Sequence, residues 1–329
     1  MIPLLELEQV VQKYLSTSRC LVWTKKSNYG NIYCCRSQNE KVGVVVKDII
    51  PWHFAKLVSG WESLADFLNE STLHFRRMLR EKEVPLADLY ECEYVEKHLF
   101  HISQECGVSV DTVLRDRSAG TEKIIEMIIR AIKNLIETAG IPDVGLDPQL
   151  ANFTELNGKI FYIDVFPALC IFRGERLVHY PNPQSPAQIE QEIKRKFMPI
   201  GILRRLRFSL LSVSIELEGI FMKKLAAVCK KETARAAIEF FRSLPDNAIV
   251  GGNGMKMIQT IASVQPVTGV DTIREIALRI AQRLPQTERS RFLTDAFCLS
   301  SMHLAPGYTG AHEERFARLK NKLVETVQS

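Results

Sequence analysis

Three oxygen-bearing side chains follow one another closely in the middle of the chain. Asp147 is followed five residues later by Asn152, and Asp164 comes twelve residues after Asn152. Carboxylate and amide oxygens are ligands that Mg²⁺ prefers, and a carboxylate can also accept a proton from a hydroxyl group. The pattern fits an ordinary polar turn followed by a hairpin. It also fits three side chains that converge on one metal ion and one hydroxyl group.

The segment between Asn152 and Asp164 has the length and composition of a tight hairpin. Asn157-Gly158 lies at its middle, and Asn-Gly is a favoured pair for a two-residue turn because both residues adopt positive φ readily. Such a hairpin would bring Asp164 back beside Asn152. The spacing therefore predicts that these two side chains are neighbours.

Strands are predicted upstream of this group. β-Branched and aromatic residues bounded by Gly, Asn and Ser indicate strands. They occur at residues 20–23, 32–36, 42–49, 87–95 and 98–103. Apolar residues at helical spacing predict a helix over about residues 52–82, between the third and fourth strands.

The predicted secondary structure changes from strands to helices after Gly107. A short helix with Ser109 as its cap is predicted there, followed by a long helix that begins at Thr121-Glu122 and ends at Gly140. From about Pro186 onward the pattern is almost entirely helical. Strands grouped first and helices grouped later predict an α+β fold, with a five-stranded sheet and a helix in residues 1–105 and a helical region in 106–329.

The bulk composition is that of a folded globular protein. The 329 residues are 46% hydrophobic and 25% charged, and no run of eighteen apolar residues suggests a membrane span. Glu6 and Glu8 stand where a signal peptide needs a basic region. The eight cysteines lack zinc-type spacing, so we expect reduced thiols and a cytoplasmic location. The seven histidines are scattered, and each is predicted to be a surface residue or a hydrogen-bonded structural one: His53, His74, His98, His101, His179, His303 and His312.

A basic run stands out from the net charge of +5, because residues 194–207 contain six basic residues and no acidic one. The six are Lys194, Arg195, Lys196, Arg204, Arg205 and Arg207. A solvated helix face explains this pattern. A surface for an anionic partner such as phosphate, nucleic acid or acidic lipid explains it equally well.

The order of these parts resembles the protein-kinase-like fold, nearest to the aminoglycoside phosphotransferase and atypical kinase branches. The catalytic loop of that family carries an Asp and, five residues on, an Asn, and a metal-binding Asp follows on the next hairpin. Asp147, Asn152 and Asp164 have that order, and Ile163-Asp164 is similar to the Ile-Asp motif of the small-molecule kinases. The resemblance covers roughly residues 18–170. It implies a bilobal protein with a small, antiparallel β-rich N-lobe and a large helical C-lobe.

The resemblance also implies roles for individual residues, with ATP and Mg²⁺ as cofactors. Asp147 would accept or orient the proton of the acceptor hydroxyl, and Asn152 and Asp164 would be the magnesium ligands. Lys47, which ends the run GVVVK in the third strand, would contact the α- and β-phosphates. A Glu on the following helix holds that Lys in the family. Glu70 is the preferred candidate for this role and Glu62 the alternative.

The nucleotide loop of the family corresponds to residues 25–33, KKSNYGNIY. Backbone N–H groups of a glycine-rich turn normally hold the phosphates there. This segment has a single glycine, Gly30, and Ser27, Asn28 and Asn31 are the polar residues expected to assist it.

Two functions from different classes are expected from this resemblance. The first is an ATP- and magnesium-dependent phosphotransferase that moves the γ-phosphoryl group to a hydroxyl of a small molecule or an RNA. The basic run favours an anionic acceptor. The second is a weak or inactive pseudokinase with a nucleotide-binding or regulatory role, which the lone Gly30 and the missing His before Asp147 favour. A protein kinase proper is disfavoured, because Asp-Phe-Gly and Ala-Pro-Glu motifs are absent.

Overall fold

In the computed structural model the described residues are 20–27, 30–37, 43–49, 61–95, 98–116, 120–178, 186–211, 213–214 and 216–243. The chain divides into two compact units. Met1–Val113 and Ala151–Pro183 form the first, and Leu114–Leu150 and Gln184–Ser329 form the second. The chain therefore leaves the first unit after Val113 and rejoins it at Ala151, whereas the sequence predicted one boundary at residue 105.

A five-stranded antiparallel sheet is the largest element of the first unit, with the strand order β1-β2-β3-β5-β4. Its strands are β1 (Cys20–Ser27), β2 (Gly30–Ser37), β3 (Val44–Ile49), β4 (Leu89–Val95) and β5 (His98–Gln104). Helix α1 (Trp61–Glu81) connects β3 to β4, and the first part of the predicted helix, before Trp61, lies outside the described residues. The apolar stripe of α1 recurs every three or four residues, and Leu64, Leu68, Phe75 and Leu79 are buried.

The two faces of this sheet differ in burial. Cys35, Val46 and Ile102 on one face are fully buried. The opposite face carries Lys47. On it Ile32, Cys34, Val45, Lys47 and Ser103 are half-buried, and His101, opposite Lys47 in the ladder, is buried. We call this the Lys47 face. Adjacent strand residues point to opposite faces, which explains why Cys34 is half-buried and Cys35 is buried.

The predicted hairpin between Asn152 and Asp164 is confirmed. Strands β7 (Phe153–Leu156) and β8 (Lys159–Tyr162) pair in antiparallel register, with Leu156 opposite Lys159. The two connecting residues have positive φ, 53° at Asn157 and 74° at Gly158, as a two-residue turn of this kind requires. A short strand β6 (Val108–Ser109) pairs with β7 and completes a three-stranded sheet.

A second, smaller hairpin follows Asp164 in the chain. Its strands are β9 (Ile171–Phe172) and β10 (Glu175–Arg176), and they pair antiparallel. The turn residues Arg173 and Gly174 both have positive φ.

The described part of the second unit is helical. Its helices are α3 (Thr121–Ile136), α4 (Pro186–Lys196), α5 (Pro199–Leu211), α6 (Glu216–Val228) and α7 (Lys231–Ser243). A short helix α2 (Val110–Arg115) spans the boundary between the units. Helix α3 begins at the predicted residue and ends at Ile136, before the predicted Gly140.

Antiparallel sheets followed by several helices confirm the α+β class predicted from the sequence. Among the described residues, no helix is both long enough and apolar enough to cross a membrane.

Candidate functional site

Lys47 and Asp164 form an ion pair in the first unit. Lys47 Nζ lies 3.1 Å from Asp164 Oδ1, and it also donates a hydrogen bond of 3.2 Å to the carbonyl oxygen of Ile163. The Lys47 side chain is 17% exposed and that of Asp164 is 31% exposed, so both are partly shielded from water yet open to a ligand. Strand β3 and the segment after β8 therefore meet at these two residues.

Asn152 is the third member of this group. Its amide Nδ2 donates to Asp164 Oδ2 over 3.2 Å, and its backbone carbonyl accepts a hydrogen bond of 2.9 Å from the Ile163 amide. The two residues flank the β7–β8 hairpin, so strand pairing fixes their separation. The structure thus brings together three predicted site residues: Lys47, Asn152 and Asp164. We call them the Lys47–Asn152–Asp164 group.

A hydrophobic cluster holds the Asp164 segment against helix α1 and the sheet. Phe166, two residues after Asp164, is buried with Leu64 and Leu68 of α1 and Leu99 of β5. Because the cluster contains residues from three separate segments, the position of Asp164 depends on the packing of α1.

Glu70 does not hold Lys47, contrary to the prediction. Its carboxylate forms an ion pair of 2.6 Å with Arg173 in the β9–β10 turn, and both side chains are more than half exposed. The reason is the rotational phase of α1. Leu68 packs in the cluster with Phe166. Glu70 is two residues further along the helix, so its side chain points roughly 200° around the helix axis from that of Leu68. The alternative, Glu62, lies in α1, and its side chain is outside the described residues.

Gly30 and Asn31 are strand residues. In the ladders of β2, Gly30 stands opposite Ser27 and Ile49, and Asn31 stands opposite Lys26 and Asp48. The predicted loop of residues 25–33 is therefore mostly β-structure, with only residues 28–29 between the strands. Those two residues and the Asn31 side chain lie outside the described part of the chain.

Asp147 belongs to the second unit, where Arg205 binds it through two contacts. The Arg205 Nε donates to Asp147 Oδ1, and its Nη2 donates to Oδ2 over 2.9 Å. Gln149 Nε2 donates a further hydrogen bond of 3.0 Å to Oδ2. Burial by itself raises the pKa of Asp147, but the Arg205 guanidinium, helped by Lys196 and Gln149, outweighs it and holds the pKa well below its usual range. Asp147 is therefore an ionised carboxylate.

The loop that carries Asp147 is fixed to helices α4 and α5. The amide of Leu146 donates a 2.7 Å hydrogen bond to the Lys196 carbonyl, and the amide of Leu150 donates one of 2.9 Å to Ser209 Oγ. A Cβ on Gly145 would lie 2.7 Å from the same Lys196 carbonyl oxygen. The close approach of backbone to backbone explains why this loop has glycine before Leu146.

Most of the basic run is paired within the protein. Arg195 and Lys196 contact Glu192, which is 3% exposed, and Arg207 is 1% exposed and bound to Glu218. Arg204 lies over the Phe240 ring, Arg205 binds Asp147, and Lys194 pairs with Glu190 at the surface. Arg207 is therefore a core residue, and Lys194 is the most exposed of the six.

His101 is a polar residue that the sequence reading assigned to the surface or to a satisfied structural role. The structure buries it, with 2% exposure, and neither ring nitrogen has a hydrogen-bond partner among the described residues. Burial, with Lys47 and Arg76 nearby, lowers the pKa of His101 to about 3, so the ring is neutral. His101 becomes a candidate site residue because it stands directly opposite Lys47 where β3 pairs with β5. The sequence does not reveal that these two strands pair, so it offers no signal for His101.

The Lys47–Asn152–Asp164 group fits Mg²⁺ by the chemistry of its donors. One carboxylate and one amide supply hard oxygen ligands from the two ends of a hairpin. Magnesium keeps several waters and commonly takes only one or two carboxylates together with substrate phosphates. Among the described residues, no cluster of three or more His, Cys, Asp or Glu side chains forms a dedicated metal cage. The group thus suits a cation that arrives with an anionic ligand.

Comparison with models of protein families found none that matches this chain. A search of curated proteins found no similar protein. The interpretation of the site therefore depends on its own residues.

Proposed function

We propose that this chain is an ATP- and magnesium-dependent phosphotransferase with a bilobal, kinase-like fold. In the reaction, the acceptor hydroxyl oxygen forms a bond to the γ-phosphorus, and the bond from that phosphorus to the β,γ-bridging oxygen breaks. The products are ADP and a phosphorylated acceptor, and the hydroxyl proton leaves to a base or to water. Asp147, Lys47, Asn152 and Asp164 are the residues to which we assign the chemistry.

The observation that carries this proposal is the contact of Lys47 with Asp164 beside Asn152. Three residues proposed from the sequence, two from their spacing and Lys47 from the family resemblance, lie within hydrogen-bond distance, although Lys47 and Asp164 are 117 positions apart. A cation next to two oxygen donors is the arrangement that a metal-bound polyphosphate needs. Lys47 neutralises phosphate charge, and the two oxygen ligands hold the metal.

The Lys47 face supports the binding of a nucleotide base next to this group. Ile32, Cys34, Val45 and Ser103 are half-buried on it, so an apolar surface with one hydroxyl adjoins the Lys47 ammonium. Flat rings gain most from covering such a surface, because burying apolar area contributes about 25 cal/mol per Å².

Asp147 would orient the acceptor hydroxyl more than it would remove a proton. Its lowered pKa makes it a weak base, and the two contacts from Arg205 fix its oxygens. A fixed, ionised carboxylate still accepts a hydrogen bond from a hydroxyl group and so aligns the oxygen for attack.

The second candidate is a weak or inactive pseudokinase, and the Asp147–Arg205 pair is the observation that favours it. A carboxylate already bound to a guanidinium has less capacity to accept a substrate proton. Gly30 in a strand ladder also leaves few glycine amides to hold phosphates. In this case the protein binds nucleotide and transfers the phosphoryl group slowly or not at all.

The acceptor is a small molecule or an RNA. Of the basic run, only Lys194 is well exposed, at 60%, and most of the other charges serve ion pairs inside the second unit. These charges therefore favour an anionic acceptor less than the sequence indicated, and the substrates to test include uncharged small hydroxyl compounds.

One experiment tests the proposal directly. The full chain is incubated with γ-labelled ATP, Mg²⁺ and cell extract, and the label is followed into protein, RNA and small-molecule fractions. We expect transfer by the wild type and by Asp66→Ala, an exposed-carboxylate control, and none by Asp164→Ala. Binding of Mg·ATP without any transfer would select the pseudokinase. Absence of both binding and transfer would overturn the nucleotide assignment.

A further inference from the structure

His101 is a buried imidazole directly opposite Lys47 in the sheet. Both ring nitrogens are buried, and neither makes a hydrogen bond within the described part of the chain. Leaving a buried donor or acceptor unsatisfied is costly, so such a group calls for an explanation, and a partner gained in another state of the protein is one.

The ring is neutral, which fixes what it offers. A neutral imidazole has one N–H donor and one nitrogen with a free lone pair. The cationic groups Lys47 and Arg76 lie close enough to disfavour protonation, in addition to the burial. On the neighbouring strand β4, Cys92 stands opposite His101. The lone pair is thus an acceptor held close to positive charge.

Lys47 is the donor that stands opposite His101 in the sheet. The two residues are direct partners in the β3–β5 ladder, and opposed residues of antiparallel strands extend their side chains on the same face. An ammonium has three N–H donors. Lys47 uses two of them, on Asp164 Oδ1 and on the Ile163 carbonyl, and the third has no partner among the residues that the structure describes.

We propose that His101 is a positioning residue for Lys47, whose ammonium exchanges Asp164 for the neutral imidazole when Asp164 is engaged elsewhere. The proposal depends on the proposed function only in the reason for engaging Asp164, which there becomes a metal ligand. His101 then keeps the ammonium on the Lys47 face, near the phosphates, at the moment when its carboxylate partner is lost. In this exchange the imidazole nitrogen of His101 accepts a hydrogen bond from the Lys47 ammonium, so both groups gain a partner.

The exchange is tested first without any ligand, in the full chain labelled with ¹⁵N-histidine. The His101 ring resonances are assigned by their loss in His101→Leu. In Asp164→Ala, which frees Lys47, we expect the acceptor nitrogen of His101 to shift toward hydrogen-bonded values. The shift should disappear in Asp164→Ala combined with Lys47→Met. An acceptor nitrogen that is unchanged in Asp164→Ala, or equally shifted in the double variant, would overturn the proposal.

A second measurement uses Mg·ATP and calorimetry. We expect His101→Leu to weaken binding about tenfold, as loss of a hydrogen bond to a charged group predicts. His101→Gln, which keeps a neutral donor and acceptor, should recover most of the affinity. In the Lys47→Met background His101→Leu should have no further effect. Thr154→Val removes a buried hydroxyl that likewise has no hydrogen-bond partner among the described residues, and it should leave affinity unchanged.

The outcomes separate the two ideas. If the wild type binds no Mg·ATP, the proposed function fails, and the ligand-free resonances still decide on the Lys47 exchange. If Mg·ATP binds and His101→Leu binds equally well, the role of His101 fails while the proposed function stands.

Discussion

Glu70 of helix α1 is ion-paired with Arg173, the residue that turns the hairpin after Asp164. The contact measures 2.6 Å, and next to it the Phe172 ring packs edge-on against Phe67, with ring centroids 5.4 Å apart. His74, one turn after Glu70, also lies against Phe172. One face of α1 therefore receives the β9–β10 hairpin, while the Leu64–Leu68 side receives Phe166.

The Glu70–Arg173 pair should contribute little to stability, since both side chains are exposed. In a double-mutant cycle of Glu70→Gln and Arg173→Gln, we expect a coupling free energy below about 1 kcal/mol in urea unfolding. Phe172→Ala should cost more, because it removes ring contacts with Phe67 and His74. A coupling of several kcal/mol would show that the charges, and not the rings, dock the hairpin.

Lys47→Met should weaken Mg·ATP binding by tenfold or more. The variant keeps the length of the side chain and removes the charge that contacts phosphate. Lys159→Met, at the exposed first position of strand β8, is the matched control and should bind as the wild type does. Calorimetric titration measures both, and equal affinities would remove Lys47 from the site.

Asp147 should stabilise the fold in a pH-dependent way. Its folded-state pKa lies below the ordinary 3.8, so its contribution is complete above that value and is lost as pH falls toward the folded-state pKa. Asp147→Asn leaves Arg205 without its charge partner and should lower the free energy of unfolding at pH 7 by about 3 kcal/mol. The difference in the free energy of unfolding between the wild type and Asp147→Asn, measured by urea unfolding, should decrease from about pH 5 to pH 3. A difference that is constant across this range would show that the ion pair is not its source.

Arg207 should behave as a core residue. Its guanidinium is bound to Glu218 and lies over the Phe241 ring, 5.1 Å from the centroid. Arg207→Met should lower the free energy of unfolding by about 3–5 kcal/mol, because Glu218 loses its partner. Lys194→Met, at the surface end of the same run, should change it by less than 1 kcal/mol. Similar values for the two variants would contradict the assigned burial.

Local features of the sequence predicted the hairpin and the strand of Lys47 well. The turn at Asn157-Gly158 is set by two adjacent residues, and the β3 pattern by a short run of valines. Both depend on neighbours in the chain. The positions of Asn152 and Asp164 follow from this local pairing, which is why the spacing argument succeeded for them.

Features that depend on distant packing were missed. The phase of α1 against the sheet decides that Glu70 faces Arg173, and no residue near Glu70 in sequence reveals it. Arg207 looked like a surface charge because its partner Glu218 and the ring of Phe241 come later in the chain. His101 was assigned no role, because its significance comes from the strand opposite it.

The contact of Gly145 with helix α4 has a consequence for recognising distant relatives of this protein. A side chain at position 145 would collide with the Lys196 carbonyl, and one at Gly201 would meet the Lys194 carbonyl at 1.8 Å. Both glycines are thus spacers that set the depth of the Asp147 loop and the sharp corner between α4 and α5. Homologues that retain this geometry should keep the pair Gly145 and Gly201 even where the charged residues have diverged. A search pattern for such homologues can start from these two glycines. It would place the acid of Asp147 two positions after the first glycine and the arginine of Arg205 four positions after the second.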